Sequence, residues 1–477
     1  MGRAGSVRLA PLQASILNGA VILMSKSSQT AAAGAITAAV EKTLETAEAA
    51  NKKIHAFTQI TRDSALAEAR LADVQVAEGA AHGLLHGMPV GIKDIADVEG
   101  LVSGCGSLTR KQAAPAERDA HVVMKLRSAG AIVVGKTHTV EYAFGGYGTN
   151  ETVGTPWNPW DLKTHRIPGG SSNGTGSAVG AGVLPGGLGT DTGGSVRIPA
   201  ALCGCVGLKT SIGLIGRSGI APLSQTLDTA GPLAKDVTTT ARMFAAMLGH
   251  DPEDPSTEDF RPIDPLQDLE RGIAGLRIGR VVDEDLGSIT TDEVKADLAN
   301  SAAVLEKLGA RIEPFKMPQS FDSFTRATGV IIAAEGYANW RQQTDDPKSG
   351  MANPIRTRFA GGKTISAADY LDVIRQRDKD IAGFLSAMDR LDAIILPTIP
   401  FPAIAVAEVD ETKSPMAHFT RWGNYLALSG LAIPTALSKG KLPMSLQIVV
   451  RRFDDALALR IGRAFEKARG AFPTPKI

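Results

Sequence analysis

Cysteine is scarce in this chain of 477 residues. It occurs three times, at Cys105, Cys203 and Cys205. Neither this odd number nor the spacing matches a disulfide framework, a metal site or a redox motif, and such usage is typical of a reducing compartment. We therefore expect three thiols that pack as small core residues in a cytoplasmic protein.

Long apolar runs and blocks of like charge are missing as well. No stretch approaches the roughly 18 consecutive apolar residues of a membrane-spanning helix. The polar residues Gln13, Ser15 and Asn18 interrupt the apolar segment before Met24, which argues against a signal peptide. Lysine and arginine number 51 against 50 aspartates and glutamates, without a basic cluster. These absences argue against a nucleic-acid or membrane partner and favour a small substrate.

Glycine, by contrast, is concentrated in one stretch. Eleven of the 27 residues from Gly169 to Ser195 are glycine. The stretch begins with GGSS, ends with DTGGS and has an apolar middle, a combination that a flexible linker does not need. Because glycine permits positive φ and a close approach of the backbone to a ligand, we interpret the stretch as a functional site that presents two hydroxyl clusters.

Two familiar motifs match this chain by letter but fail by context. Residues 130–137 (GAIVVGKT) fit the phosphate-loop pattern, yet their four middle residues are typical of a buried strand. Residues 170–174 (GSSNG) fit the G-x-S-x-G nucleophile elbow, yet a polar segment ending in proline precedes them where the elbow needs an apolar strand. The later histidines, His250 and His418, lie in no catalytic context. We reject both motifs.

Helix and strand patterns alternate along the rest of the chain. Residues 30–78 predict two helices, and residues 88–92 predict a short apolar strand that delivers Lys93 and Asp94 at its end, an unusual position for a lysine. Strand 276–282, helix 293–308 and strand 311–315 then form a βαβ unit. The pattern S-x-x-D at 366–369 predicts the start of a further helix, and residues 443–450 predict a strand near the end of the chain. This rhythm predicts an α/β layer structure.

Three blocks of the sequence resemble the amidase signature family in their order and spacing. They are GIKD at 91–94, GGSS at 169–172 and GTDTGGSVRIP at 189–199. The resemblance covers nearly the whole chain and includes LPMSLQ at 442–447. The chain departs from the common pattern in reading GGSSNGTGS where many members read GGSSGGS, so no member's substrate preference is transferred.

The resemblance implies an α/β/α fold in which helices cover both faces of a large mixed β-sheet. Residues 81–477 would form a single domain, with a catalytic core at about 85–235 and a C-terminal α/β part at about 265–477. Residues 1–80 would form an N-terminal helical segment packed on that core.

The resemblance also assigns catalytic roles residue by residue. Ser195 would be the nucleophile, Ser171 a bridging serine on a cis peptide bond after Gly170, and Lys93 the base. A serine hydroxyl needs a partner that takes its proton, and lysine, with an ordinary pKa near 10.4, can serve at neutral pH only if burial lowers that pKa to about 7 or 8. The backbone amides of an oxyanion hole would come from Thr192, Gly193 and Gly194.

Supporting and substrate-lining roles follow from the same resemblance. We expect Asp191 and Arg197 to brace the site as a buried ion pair, and Ser172 to join its hydrogen-bond network. The substrate-lining segment would be Tyr142, Ala143, Phe144 and Gly145. Trp340 and residues 419–425, including Trp422, would form the opposite wall.

The implied function is hydrolysis of the carboxylic amide C–N bonds of small molecules, with carbamates or esters as further substrates. The alternative is the A subunit of a glutamyl-tRNA amidotransferase, which releases ammonia from glutamine for a partner protein. A catalytically idle binding module is disfavoured because Lys93, Ser171 and Ser195 are all present. We expect a small amide or carbamate as binding partner and neither metal nor organic cofactor. The sequence leaves a homodimer open.

Overall fold

The computed structural model of this chain describes residues 34–80, 82–413 and 415–477. The segment before Met24, predicted not to be a signal peptide, lies outside these residues. Within the described part of the chain, no helix is both long and apolar enough to span a membrane.

Within the described residues, eleven strands form one mixed sheet in the order β1-β3-β2-β4-β6-β5-β10-β11-β9-β7-β8. The inner trio β3, β2 and β4 is parallel, as is the trio β9, β7 and β8 at one end, and the remaining neighbours are antiparallel. The strands are β1 (Phe57–Ile60), β2 (Pro89–Lys93), β3 (Ile132–Thr137), β4 (Gly186–Asp191), β5 (Val206–Lys209), β6 (Thr229–Ala234), β7 (Arg277–Val281), β8 (Arg311–Phe315), β9 (Ala393–Pro397), β10 (Ser429–Leu437) and β11 (Pro443–Val450).

Thirteen helices accompany the sheet in the same described ranges. They are α1 (Ala35–Ile54), α2 (Arg62–Ala77), α3 (His121–Ser128), α4 (Asn173–Gly180), α5 (Arg197–Cys203), α6 (Val237–Met247), α7 (Asp283–Leu286), α8 (Asp292–Lys307), α9 (Phe321–Asp345), α10 (Asn353–Ala360), α11 (Ala367–Ala387), α12 (Arg421–Tyr425) and α13 (Asp455–Arg469).

Both faces of the sheet are covered, as expected. Successive side chains of a strand point to opposite faces, and every residue of β3, β4, β6, β9 and β11 is buried. In β3, Val133 packs into one hydrophobic cluster, whereas Ile132 and Val134 pack into another. The α/β/α prediction is therefore confirmed, and residues 130–137 contain a buried strand rather than a phosphate loop.

The N-terminal segment differs from the prediction of helices alone. Helices α1 and α2 are present, but β1 lies between them and pairs antiparallel with β3, so this segment contributes a strand to the sheet. Local patterns predicted several other elements closely. Helix α11 begins after Ser366, whose side chain accepts from the backbone of Asp369 in a capping box. The three cysteines are buried and unpaired, as expected.

Candidate active site

Two neighbouring parallel strands bring the motif residues of this chain to one edge of the sheet. Strand β2 pairs in parallel with β4, with Ile92 opposite Leu188, so Lys93 at the end of β2 lies beside the end of β4. Ser171 immediately precedes the N-terminal region of α4, which packs on β4. The Nζ atom of Lys93 donates to the Oγ atom of Ser171 at 2.7 Å and to the Oγ1 atom of Thr190 at 2.8 Å.

Glycines make this close packing of α4 possible. A Cβ atom on Gly174 would lie 2.3 Å from the backbone nitrogen of His138, and one on Gly180 would lie 2.3 Å from the carbonyl oxygen of Cys203. The peptide bond between Gly170 and Ser171 is cis. Almost every residue from Gly169 to Ser195 is buried, which excludes the interpretation of this stretch as a flexible linker.

Lys93 is a buried lysine, and no carboxylate of the described residues is bonded to its Nζ atom. Its side chain is fully buried. Burial lowers the pKa of Lys93 to about 7, although the more distant charges of Asp228 and Asp191 oppose the shift. A substantial neutral fraction is therefore present at neutral pH, and a neutral amine can accept a proton.

Ser195 lies in the wall of a cavity of about 590 Å³. It is 8 % exposed, whereas Ser171 is completely buried. The backbone amide of Ser172 donates to the carbonyl oxygen of Ser195 at 3.2 Å, and the hydroxyl of Ser172 bonds the backbone of Thr190 at 3.3 Å. Ser172 thus links the segment that carries Ser171, the end of β4 and the segment that carries Ser195.

A buried ion pair holds the loop after β4. The guanidinium of Arg197 donates to both carboxylate oxygens of Asp191, at 2.9 and 3.0 Å. Arg197 also donates to Asn424 at 2.6 Å and to Gln447 at 2.7 Å, and Asn424 donates back to Asp191 at 2.9 Å. Although burial opposes ionisation, Arg197 holds the pKa of Asp191 well below its ordinary value. Both carboxylate oxygens of Asp191 and all three guanidinium nitrogens of Arg197 are hydrogen-bonded, as a buried ion pair requires.

The backbone amides of this loop divide into two groups. The amides of Gly194 and Val196 donate to the carboxylate of Asp191, at 2.7 and 3.1 Å. Among the described residues, the amides of Thr192, Gly193 and Ser195 have no acceptor. The role of Gly194 as an oxyanion donor stays a prediction, and in this conformation its N–H is already engaged by Asp191.

Only part of the predicted substrate-lining segment, residues 142–145, lines the cavity. Ala143, Phe144 and Gly145 line the cavity. Tyr142 does not: it is 2 % exposed, and its ring packs 4.2 Å from that of Trp340. Its hydroxyl contacts Thr109, so Tyr142 serves the core.

The aromatic residues of segment 419–425 that were proposed for the opposite wall are also core residues, and Trp340 is half-buried against Tyr142. Trp422 packs against Phe321 and Phe384, and the hydroxyl of Tyr425 donates to Asp380 at 2.9 Å. The wall is formed instead by residues of α9, α10, the segment before α12 and the first position of α12, namely Gly329, Ile332, Ala333, Pro354, Thr357, Arg358, Glu411, Thr412, Ala417 and Arg421.

Sequence reasoning missed several polar partners of the site. Thr190 accepts from Lys93, and the hydroxyl of Thr192 donates to half-buried Asp228. Thr420 donates to the carbonyl oxygen of Gly193 at 2.6 Å. Thr420 and Asn424 lie in the segment 419–425 that was singled out for its aromatic residues, so the segment was found but the wrong side chains were chosen. In the part of the chain that the structure describes, no group of three or more histidine, cysteine, aspartate or glutamate side chains could hold a metal ion.

Comparison with known proteins identifies the class of enzyme to which this chain belongs. In a Geobacillus species, the A subunit of glutamyl-tRNA(Gln) amidotransferase is 34 % identical over 448 residues, 87 % of this chain and 90 % of the relative. A solved structure described as a vestigial protein complex that reveals the origins of an s-triazine catabolic enzyme is 31 % identical, with a TM-score of 0.85 over 93 % of this chain and 98 % of its own.

A third relative is the peptide amidase of Stenotrophomonas maltophilia, which is 25 % identical, with a TM-score of 0.81 over 93 % of this chain and 95 % of its own. The fold and these relatives define the class: an α/β enzyme that acts on amide carbon–nitrogen bonds, as a hydrolase or an amidotransferase. The Amidase family model matches residues 38–459. The chain belongs to this family, that of the amidase signature enzymes.

Proposed function

We propose that this chain breaks the C–N bond of a carboxylic amide through an acyl-enzyme on Ser195. One observation carries the proposal: the Nζ atom of fully buried Lys93 lies 2.7 Å from the Oγ atom of Ser171. A lysine with a pKa lowered to about 7 by burial is a competent base for a serine relay. Ser195 lines the cavity, and its carbonyl oxygen accepts from the backbone amide of Ser172, the residue that follows Ser171.

The reaction needs a proton relay that runs to Lys93 and back in each half of the reaction, and one covalent intermediate. Neutral Lys93 takes the proton of Ser171, which takes that of Ser195, and the Oγ atom of Ser195 attacks the amide carbonyl carbon. The tetrahedral intermediate collapses, the C–N bond breaks, and the leaving amine receives the proton back through Ser171. Water then attacks the acyl ester by the same relay, releasing the carboxylic acid and freeing Ser195.

Backbone amides stabilise the oxyanion in this proposal. The N–H groups of Thr192, Gly193 and Ser195 have no acceptor within the described ranges, so they are available to the negative charge that develops on the carbonyl oxygen. The amide of Gly194 donates to the carboxylate of Asp191 instead, so this proposal does not use it for the oxyanion. Asp191, Arg197 and Ser172 position the loop and do not touch the substrate.

Glutamine is the amide that the curated relatives favour. A relative that is 34 % identical over most of both chains is named as the A subunit of an amidotransferase, which supports that function for this chain ahead of a stand-alone hydrolase. Glutamine would then supply ammonia to a partner protein. The cytoplasm is the corresponding compartment, in keeping with the three unpaired cysteines.

A stand-alone amide hydrolase is the second candidate. The peptide amidase of S. maltophilia shares the fold over 93 % of this chain, which supports a small-molecule amide. Carbamates and esters present the same carbonyl to Ser195 and would react by the same relay.

Purified protein tests the proposal with glutamine, an aryl anilide, an aliphatic amide and an aryl carbamate as substrates. Ammonia or amine release should occur with at least one of them and should fall by at least about a thousandfold in Ser195→Ala. The matched control is Ser177→Ala, because Ser177 is a buried serine of the same stretch that bonds the Trp157 carbonyl. Turnover of glutamine alone favours the amidotransferase function, and turnover of the anilide or carbamate favours the stand-alone hydrolase.

A second readout does not depend on the choice of substrate. A sulfonyl fluoride should add one sulfonyl group to the wild-type protein and none to Ser195→Ala in an intact-mass measurement. Amide turnover or sulfonylation that persists in Ser195→Ala would contradict the acyl-enzyme.

A further inference from the structure

One cation in the cavity wall has no assigned task. Arg421 begins α12 and lines the cavity beside Ser195. Within residues 34–80, 82–413 and 415–477, its side chain makes no hydrogen bond and no ion pair. Burial and the neighbouring charge of Arg358 lower the pKa of Arg421 to about 10. It is therefore still a cation at neutral pH, and an unpaired cation in a partly enclosed site attracts an anion.

The other two charged residues that the structure describes in the cavity wall neutralise each other. Arg358 bonds the carboxylate of Glu411, and it also donates to the carbonyl oxygens of Phe144 at 2.7 Å and Glu411 at 2.9 Å. The other carboxylate oxygen of Glu411 accepts from Thr149. Arg358 and Glu411 thus brace the wall, and Arg421 leaves it with one uncompensated positive charge.

Arg421 also lies next to Gly193, in the loop that carries Ser195. A Cβ atom placed on Gly193 would be 3.2 Å from the Cγ atom of Arg421 and 3.8 Å from its Nε atom. Gly193 is two residues from Ser195, and its amide is one of those without an acceptor. A carboxylate held by this guanidinium would therefore be separated from the carbonyl that Ser195 attacks by only a short acyl chain of the substrate.

We propose that Arg421 binds a carboxylate on the acyl part of the substrate, so that the preferred substrates are monoamides of short dicarboxylic acids. The inference rests on the proposed function and specifies its substrate class. A planar guanidinium suits a carboxylate because it can donate two parallel hydrogen bonds. Glutamine belongs to this class. Since the single carboxylate of the described cavity wall is engaged by Arg358, no free acid is present there for an α-ammonium group.

The test compares glutaramate with glutaramide, which have the same length and differ in a carboxylate against a neutral amide. Wild-type kcat/KM should be about 10- to 100-fold higher for glutaramate, the range of a charge-assisted hydrogen-bond pair. In Arg421→Met this ratio should fall towards one. In Arg421→Lys, which keeps the charge but cannot donate two parallel hydrogen bonds, the ratio should be intermediate. Arg341→Met, at an exposed arginine of α9, is the matched control and should retain the wild-type ratio.

Binding is measured separately, in the Ser195→Ala background. Calorimetry should give glutaramate a Kd at least about tenfold lower than that of glutaramide, and addition of Arg421→Met should abolish the difference. Equal kcat/KM and Kd for the two compounds in the wild type, or a ratio unchanged in Arg421→Met, would overturn the inference. Absence of any amide turnover together with selective glutaramate binding would refute the proposed function but support the carboxylate site.

Discussion

Replacing Lys93 with methionine should stabilise the protein while abolishing its activity. Lys93 has a pKa of about 7 in the folded state and of about 10.4 in the unfolded state. At a pH between these two values, the folded protein binds fewer protons at this lysine than the unfolded chain does. Folding therefore works against protonation, and the lysine lowers the free energy of unfolding by about 4 kcal/mol at pH 7 but by less than about 1 kcal/mol at pH 10. Methionine has similar volume and does not titrate.

The measurable quantity is the difference between variant and wild type at two pH values. Methionine leaves the hydroxyls of Ser171 and Thr190 without their lysine partner, at a cost of about 1 kcal/mol each, so the net gain at pH 7 is about 2 kcal/mol. That cost is the same at both pH values and cancels. Lys93→Met should therefore be about 2 kcal/mol more stable than the wild type at pH 7 and about 1 kcal/mol less stable at pH 10, a change of about 3 kcal/mol.

Urea denaturation of both proteins at pH 7 and pH 10 measures this change. Lys379→Met, at an exposed lysine in α11, is the control and should change little between the two pH values. If the difference in free energy of unfolding between the wild type and Lys93→Met is the same at pH 7 and pH 10, Lys93 keeps an ordinary pKa in the folded protein. It would then be charged at neutral pH and could not be the base.

Two further predictions concern the same site. Because the neutral form of Lys93 is the base, kcat/KM should rise with pH to a plateau, with its half-maximum near pH 7; a profile that is flat from pH 5 to pH 9 would exclude this base. Asp191→Asn should lower the free energy of unfolding by about 3 to 5 kcal/mol in urea denaturation, since it leaves the buried Arg197 without its counter-ion. Asp372→Asn, in an exposed pair with Arg375, should cost less than about 1 kcal/mol; equal losses in the two variants would refute the bracing role.

Local sequence patterns predicted elements that local interactions stabilise. Residues 311–315 and 443–450 are strands with the predicted bounds, and the capping box at Ser366 marks the start of α11. Hydrophobic periodicity and capping operate over a few residues, so a single sequence contains them in full.

Helix α4 is a case in which tertiary packing overrides local preference. Three of its eight residues are glycine, each unfavourable in a helix by about 1 kcal/mol, so the local pattern predicts no helix there. The helix exists because those glycines let it approach the loop backbone at Ala56 and His138 and the neighbouring helix α5, which any larger residue would strike. Strand β1 was missed for a related reason: four residues between two helices carry little pattern, and pairing with β3 makes them a strand.

The identity of the candidate catalytic residues was already readable in the linear sequence, where the order and spacing of three short motifs single out Lys93, Ser171 and Ser195. Their surroundings depend on the folded chain. Asn424 meets Asp191 across 233 positions and Gln447 meets Arg197 across 250. The cavity cation that has no partner among the described residues comes from Arg421. No local pattern carries such partners, because the order of strands in the sheet, and not their separation along the chain, sets which side chains meet.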